Sequence, residues 1–266
     1  MKLIQISDLH FGMNKEELIE PFLNSLKRIQ PDLIVISGDL TQRATKEQYG
    51  LFTNFVKKLP GIILIVPGNH DIPLYPHQLF IRMFSPFKYY KRYVHSELTT
   101  QFENDEVRIL GVNSVNPYRV TKGRLSEDTM QKIETYFSKP FSGLNILFFH
   151  HNFDLMEGTH KPLENYEEFI NYLRKSPINI VCAGHSHYAN INLIEKYNKQ
   201  SCVFLHAGSL LCTRTKDGFN SYYQLENINE LCHITCHTVQ NNEFIILSKY
   251  QFNLSKELSQ NPLIPE

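Results

Sequence analysis

The chain has no CxxC pair, no uninterrupted apolar run of about 18 residues, no Lys/Arg block and no net charge, and each absence removes a class of protein. The five cysteines, Cys182, Cys202, Cys212, Cys232 and Cys236, are odd in number, which argues against a disulfide framework or a thiolate zinc knuckle and for a reducing compartment. Lys+Arg 27 balance Asp+Glu 27, so bulk charge gives no reason to expect a nucleic-acid backbone or an anionic membrane, although a local positive site stays open. The opening run MKLIQIS stops at Asp8 with no small-residue cleavage site behind it, so it reads as a first strand and not a signal peptide. Neither a membrane span nor a membrane partner is expected, and the cytoplasm is the expected location.

What is present is enough apolar residue, 42% of 266, to bury a core without staples. With no repeat and no Gly/Ser linker, the expectation is one domain over 1–252, an aromatic-rich lid or peripheral subregion at 73–105, and a fraying tail at 253–266. The first half alternates strands at 3–7, 33–37 and 62–66 with helical patterns at 16–30 and 45–58, which is α/β order. The helix at 16–30 spaces Leu18, Ile19, Phe22, Leu26 and Ile29 near 3.6, and the strands are apolar on both faces, as a sheet covered by helices requires. Strands at 107–112, 144–149 and 178–183 and helices from Ser126 and over 163–174 continue the pattern. Short strands at 203–207, 219–225, 230–239 and 243–250 then suggest a second sheet.

Ligands of open α/β sheets sit beyond the carboxyl ends of strands. Five polar groups stand there: DLH at 8–10, GDLT at 38–41, GNHD at 68–71, HH at 150–151 and GHSH at 184–187. Carboxylate, amide and imidazole without thiolate are the donors of divalent transition ions, and two such ions about 3.5 Å apart can activate water and hold a phosphoryl group. Gly38, Gly68 and Gly184 would let the backbone turn or pass close to the ligands.

These five motifs, in this order, resemble those of the calcineurin-like metallophosphoesterases over residues 3 to about 210, with LIVISGDLT and IVPGNHD most similar to the bacterial class III cyclic nucleotide phosphodiesterases. The resemblance implies a four-layer α-β-β-α sandwich around two mixed sheets. It implies that Asp8, His10, Asp39 and His187 hold one ion and Asp39, Asn69, His150 and His185 the other, as manganese and/or iron, with zinc an alternative. It further implies in-line attack on phosphorus by hydroxide held between the ions, with His70 stabilising charge or protonating the leaving alkoxide and Asp71 orienting His70. Asn152, where relatives commonly have proline, and His206, where they often have asparagine or a small residue, depart from the pattern.

Other residues carry two readings. His206 reaches the site or is a satisfied core histidine, and His151 orients the ligands from behind or merely packs. On strand 230–239, alternation puts Cys232 and Cys236 with Ile234 on one face and His233 with His237 on the other, so buried thiols beside exposed imidazoles are expected in preference to a metal clip. FKYYKRYVHS at 87–96 is a base-stacking platform or, in preference, a packed surface element. Arg43, Asn116, Arg119 and His160 are candidate pocket residues. The expected activity is hydrolysis of a small phosphate ester, a phosphodiester such as a cyclic nucleotide first. Phosphomonoester or nucleotide pyrophosphate hydrolysis, a nuclease and a noncatalytic scaffold follow, and a homo-oligomer is allowed.

Overall fold

The computed structural model describes residues 1–152, 163–228 and 231–253, so the tail beyond 253 and His160 lie outside the described residues. Its first sheet joins β1 (Lys2–Ile6), β2 (Leu33–Ile36) and β3 (Ile62–Ile65) in parallel, with Leu3 beside Leu33 and Leu33 beside Ile62. Parallel neighbours need a crossover of about a dozen or more residues, usually through a helix. They are supplied by α1 (Ile19–Ile29) and α2 (Lys46–Val56). Between β3 and the second sheet the chain forms two short helices, α3 (Leu79–Phe84) and α4 (Lys88–Tyr93).

The second sheet is built from β4 (Thr100–Glu103), β5 (Val107–Gly111), β6 (Leu144–Phe148), β7 (Ile180–Ala183), β8 (Asn190–Glu195) and β9 (Ser201–His206), in the order β4-β5-β6-β7-β9-β8. Its helices are α5 (Glu127–Phe137) and α6 (Tyr166–Leu173). The chain then returns to the first sheet as an antiparallel meander of β10 (Ser221–Ile228), β11 (Leu231–Gln240) and β12 (Glu243–Asn253), which pairs to β1 through β10. Both sheets are therefore mixed.

Strand alternation assigns the layers. Leu3, Leu33, Val35 and Leu64 meet Ile109, Ile146, Phe148 and Val203 between the sheets. The alternate residues Ile4, Ile6, Ile34 and Ile36 face outward onto Phe22 of α1 and Tyr49 and Phe52 of α2. On the far side Leu147, Val181 and Phe204 pack on Ile133 and Phe137 of α5 and Phe169 and Leu173 of α6. The result is the expected α-β-β-α sandwich, each fully buried Phe, Leu or Ile contributing about 1.5–3 kcal/mol. Thr45 and Ser126 cap α2 and α5 by accepting the amides of Gln48 and Thr129.

Four elements escape the periodicity. β4 and β8 are edge strands, half exposed and of mixed polarity, while α3 and α4 are only six residues each, too short to show a helical period. The strand alternation of β11 holds for Cys232, Ile234 and Cys236, which enter the inter-sheet core, and all five cysteines are buried and free. His237 falls on the opposite face, as alternation requires, but that face is covered: the imidazole stacks on its cross-strand partner Tyr222 at 4.6 Å and bonds Gln224 Oε1 at 2.9 Å, so it is buried and not exposed. Burial, aided by Arg28, depresses its pKa to about 4.

Candidate metal centre

The parallel strands of both sheets deliver their carboxyl ends to one place. β1 runs into Asp8 and His10, β2 into Asp39, β3 into a 3-10 turn at Asn69–Asp71, β6 into His150, and β7 into His185 and His187. Five of these seven candidate ligands sit in the left-handed region although none is glycine: Asp8 (φ 55°), His10 (47°), Asp39 (53°), His185 (71°) and His187 (53°). Such residues cost about 1–3 kcal/mol each and persist only where their surroundings over-determine them. Here Asp8 N bonds Gly38 O at 3.1 Å, His10 N bonds Asp39 O at 3.0 Å, and His185 N bonds Asp8 Oδ2 at 3.0 Å. The fit leaves no room for side chains at the turns: Gly38 is at φ 87°, and a Cβ on Gly68 would collide with the Asp39 amide and carboxylate.

Among the groups of ligand atoms that result, two share Asp39 and have the donors to hold a metal ion: Asp8, His10, Asp39 and His187, and Asp39, His150 and His185. Asp39 divides between them, with Oδ2 3.3 Å from His10 Nε2 and Oδ1 3.3 Å from His150 Nε2. Asn69 Oδ1 joins the second group, 3.1 Å from His150 Nε2. In the first, His187 Nε2 lies 3.3 Å from Asp8 Oδ1 and 3.2 Å from His10 Nε2. Carbonyls behind the rings set the tautomers: His150 Nδ1 donates to Ser37 O and His187 Nδ1 to Arg214 O, each at 2.8 Å, turning the Nε2 lone pairs inward.

The donor chemistry fits cations. His150 Nε2 and Asn69 Oδ1 are two acceptors 3.1 Å apart, and the buried Asp8 Oδ1 accepts no hydrogen bond from the described residues. In the metal-free chain protons take this role. Burial depresses the pKa of His150 and of His187, but Asp39 beside the first and Asp8 beside the second outweigh it and bring both to about 9. Burial alone would raise Asp8 and Asp39; the adjoining imidazoles reverse this, holding Asp8 low through His187 and His10 and Asp39 well below the carboxylate range through His150, His70 and His10. For His10 burial prevails and lowers the value.

His70 stands at the centre's edge, its amide donating to Asp39 Oδ1 at 2.9 Å and its ring 4.8 Å from that of His10. Its Nδ1 lies 2.9 Å from Gln42 O and 3.2 Å from Arg43 Nη1. One nitrogen cannot donate to the first and accept from the second, and the shorter contact favours donation to the carbonyl. Asp71 is not brought to the His70 imidazole. Its carboxylate instead accepts from the amides of Gly68, Leu40 and Thr41 and from the Thr41 hydroxyl, tying the β2 and β3 loops together. Burial, then the Asp39 charge, raises its pKa to about 7.

The remaining candidates separate. His151 sits behind the ligands, its ring 4.6 Å from His185 and its Nδ1 2.8 Å from Ser114 Oγ. His206 is buried on β9 with its ring against Phe204, outside both ligand groups, and Asn152 is buried beside the ligand loop. Asn116 Oδ1 accepts the Tyr118 amide within a turn, and Arg119 pairs with Glu164 at 3.0 Å. In α4, Tyr90 bonds Ile65 O and Tyr93 stacks on Tyr49, so this stretch is packed surface. Unforeseen from the sequence are Ser37, Gln42, Arg214, whose Nη2 reaches Gln42 Oε1 at 3.1 Å, and Cys212, grouped with His10 and His187. Burial would raise the Cys212 thiol, but His187 and the Arg214 amide lower it. A lone cysteine and backbone carbonyls leave no sequence pattern that could have pointed to them.

The family model for calcineurin-like phosphoesterases matches residues 1–189. A probable glycerophosphodiester phosphodiesterase of Arcobacter nitrofigilis is 27% identical over 212 residues, 74% of this chain and 75% of that protein. A probable cyclic nucleotide phosphodiesterase of Vesicomyosocius okutanii is 27% identical over 239 residues, 85% and 94% respectively. Among solved structures, the purple acid phosphatase of yellow lupin seeds superposes with a TM-score of 0.71 at 10% identity, covering 94% of this chain but only 53% of that one. That last likeness concerns the fold alone.

Proposed function

The chain belongs to the calcineurin-like phosphoesterase family, and from that membership we propose a binuclear-metal phosphodiesterase that hydrolyses a small phosphodiester such as a cyclic nucleotide. The family and the two ligand groups make it a metal-dependent phosphoric ester hydrolase. The diester preference rests on the printed activities of its relatives. Asp8, His10, Asp39 and His187 would hold one ion, and Asp39, Asn69, His150 and His185 the other, with manganese and/or iron the expected metals. When bound, two such ions supply the Lewis acidity that lowers the pKa of water and offsets phosphoryl charge.

The observation that carries this reading is Asp39, whose two oxygens serve different ligand groups. Around it the protein's own work is positional. Ser37 and Arg214 carbonyls fix the imidazoles, and Asp71 fixes the loops that present Asp39 and Asn69. With Nδ1 bonded to Gln42 O, His70 leaves Nε2 as the nitrogen that would pass a proton to the departing alkoxide. Buried free thiols support a reducing compartment, the cytoplasm, as its location.

The test is to purify the protein without chelator, quantify bound metal, and compare bis(p-nitrophenyl) phosphate with p-nitrophenyl phosphate under added manganese, beside Asp39→Ala. Faster diester turnover, lost in the variant together with the metal, supports the proposal. Faster monoester turnover redirects the substrate to phosphomonoesters, and full metal content without either activity favours a noncatalytic scaffold.

A further inference from the structure

α3 has the sequence LFIRMF, apolar on every side except Arg82, yet none of its residues is buried. A helix apolar all round belongs in a core or against another apolar phase. Among the described residues the three most exposed large apolar side chains are Tyr118 (82%), Phe80 (78%) and Phe84 (75%). They are joined by Leu79, Met83 and Val120, all exposed beyond half. The two segments form one surface, because Arg82 of α3 reaches across to Arg119 O at 2.7 Å while its other nitrogen bonds Pro73 O at 3.0 Å. That surface adjoins the metal centre: Asn69 Nδ2 donates to Val120 O at 3.1 Å.

Charge distinguishes what this surface can meet. No carboxylate occurs between Asp71 and Glu97, where Arg82, Lys88, Lys91 and Arg92 lie, nor between residues 113 and 126, where Arg119, Lys122 and Arg124 lie. Arg119 is taken by Glu164 and Arg82 by the two carbonyls; Lys88, Lys91, Arg92, Lys122 and Arg124 are exposed. In a chain of zero net charge these two stretches are cationic and contain the most exposed aromatic rings. A second copy of the chain would oppose like charge to like charge, whereas an anionic lipid surface offers apolar depth and negative charge together.

We propose that α3 and the 116–124 loop form a peripheral docking face for anionic lipid bilayers, setting the mouth of the metal centre against the headgroup layer. Phe80, Phe84 and Tyr118 enter the interface, and the flanking lysines and arginines select anionic lipid. Neutral bulk composition and the lack, among the described residues, of a helix long and apolar enough to cross a membrane do not bear on such a face, since both average over or look past a patch of this size.

The experiment is co-sedimentation with extruded vesicles, phosphatidylcholine alone against phosphatidylcholine with about a third phosphatidylglycerol, at low and high salt. Binding to the anionic vesicles about tenfold above the neutral ones, released by salt, is expected. Phe80→Ser with Phe84→Ser should cut it about tenfold or more, and Lys88→Glu with Lys91→Glu should remove the preference for anionic lipid, both at an unchanged unfolding midpoint. Equal partition into both vesicle types, or binding indifferent to the Phe80/Phe84 change, overturns the proposal. So does a dimer in light scattering that the same change dissolves, which would give the face to a second copy. Association is read without turnover, so it stands or falls apart from the phosphodiesterase reading.

Discussion

The two ligand groups that share Asp39 are unequal. The first adds a second carboxylate, Asp8, to its imidazoles and has every member in the left-handed region; the second adds the neutral amide of Asn69, and there only Asp39 and His185 are left-handed. Charge and pre-set backbone therefore concentrate in the first group, while the second is lighter in charge and lies beside loop 116–124 through Asn69. The first group is thus the more firmly pre-set by its backbone, and the second the more adjustable. The first should fill first and hold its ion more tightly.

Asp39→Ala attacks both groups at once and should have the largest effect, loss of both ions and a fall in turnover of about a thousandfold or more. Metal analysis showing one ion retained at full stoichiometry would mean that Asp39 is not shared. Separating the groups is the next test. Asp8→Ala should empty one position outright, whereas Asn69→Ala should weaken the other by about 10–100-fold while leaving the first filled; calorimetric metal titrations distinguish them, and equal losses would erase the asymmetry.

Asp71 tests whether the ligand loops need their staple. Removing its carboxylate by Asp71→Ala strands three buried amides and should cost about 3–5 kcal/mol of stability, with Asp71→Asn milder. An unchanged unfolding midpoint with a depressed kcat would restore to Asp71 the orienting role toward His70.

The smallest effect is with pH and concerns the metal-free protein. His150 and His187 titrate near 9 in the folded chain against an ordinary value of 6.5, so their stabilising contribution is complete below about 6.5 and is lost as pH rises through about 9. Metal uptake runs the other way, since ligands must shed these protons, and affinity should climb to about pH 9 and then level off. Chelator-treated protein whose unfolding midpoint is flat between these values would contradict the pairing of His150 with Asp39 and of His187 with Asp8.

Much of this centre was legible because its donors are short motifs at strand ends, and strand ends show in sequence as the point where an apolar run stops. Asp8, Asp39, Asn69, His150 and His185 could be named on that basis. What supports them was not legible: the Ser37, Gln42 and Arg214 carbonyls are backbone atoms common to every residue, and Cys212 lies more than 170 residues from His10 in a loop without pattern. Asp71 illustrates the limit, because the resemblance implied that it orients His70, whereas its carboxylate accepts from the amides of Leu40, Thr41 and Gly68. His237 illustrates it again: alternation placed it on the outer face of β11, and the packing of Tyr222 with Phe244 on that face, which no local pattern records, buried it.

Local pattern was enough for most of the order of strands and helices, though not for β4, β8, α3 and α4, and for the two-faced apolar sheets and the kinds of donor atom, because periodicity and residue chemistry are local properties. The folded chain alone shows that loops 8–10 and 185–187, some 177 residues apart, close on one another, that Asp39 divides its oxygens, and that α3 is left uncovered beside them. Those outcomes depend on how two sheets pack and which strand ends meet, and packing is a sum over long-range contacts that no local pattern records.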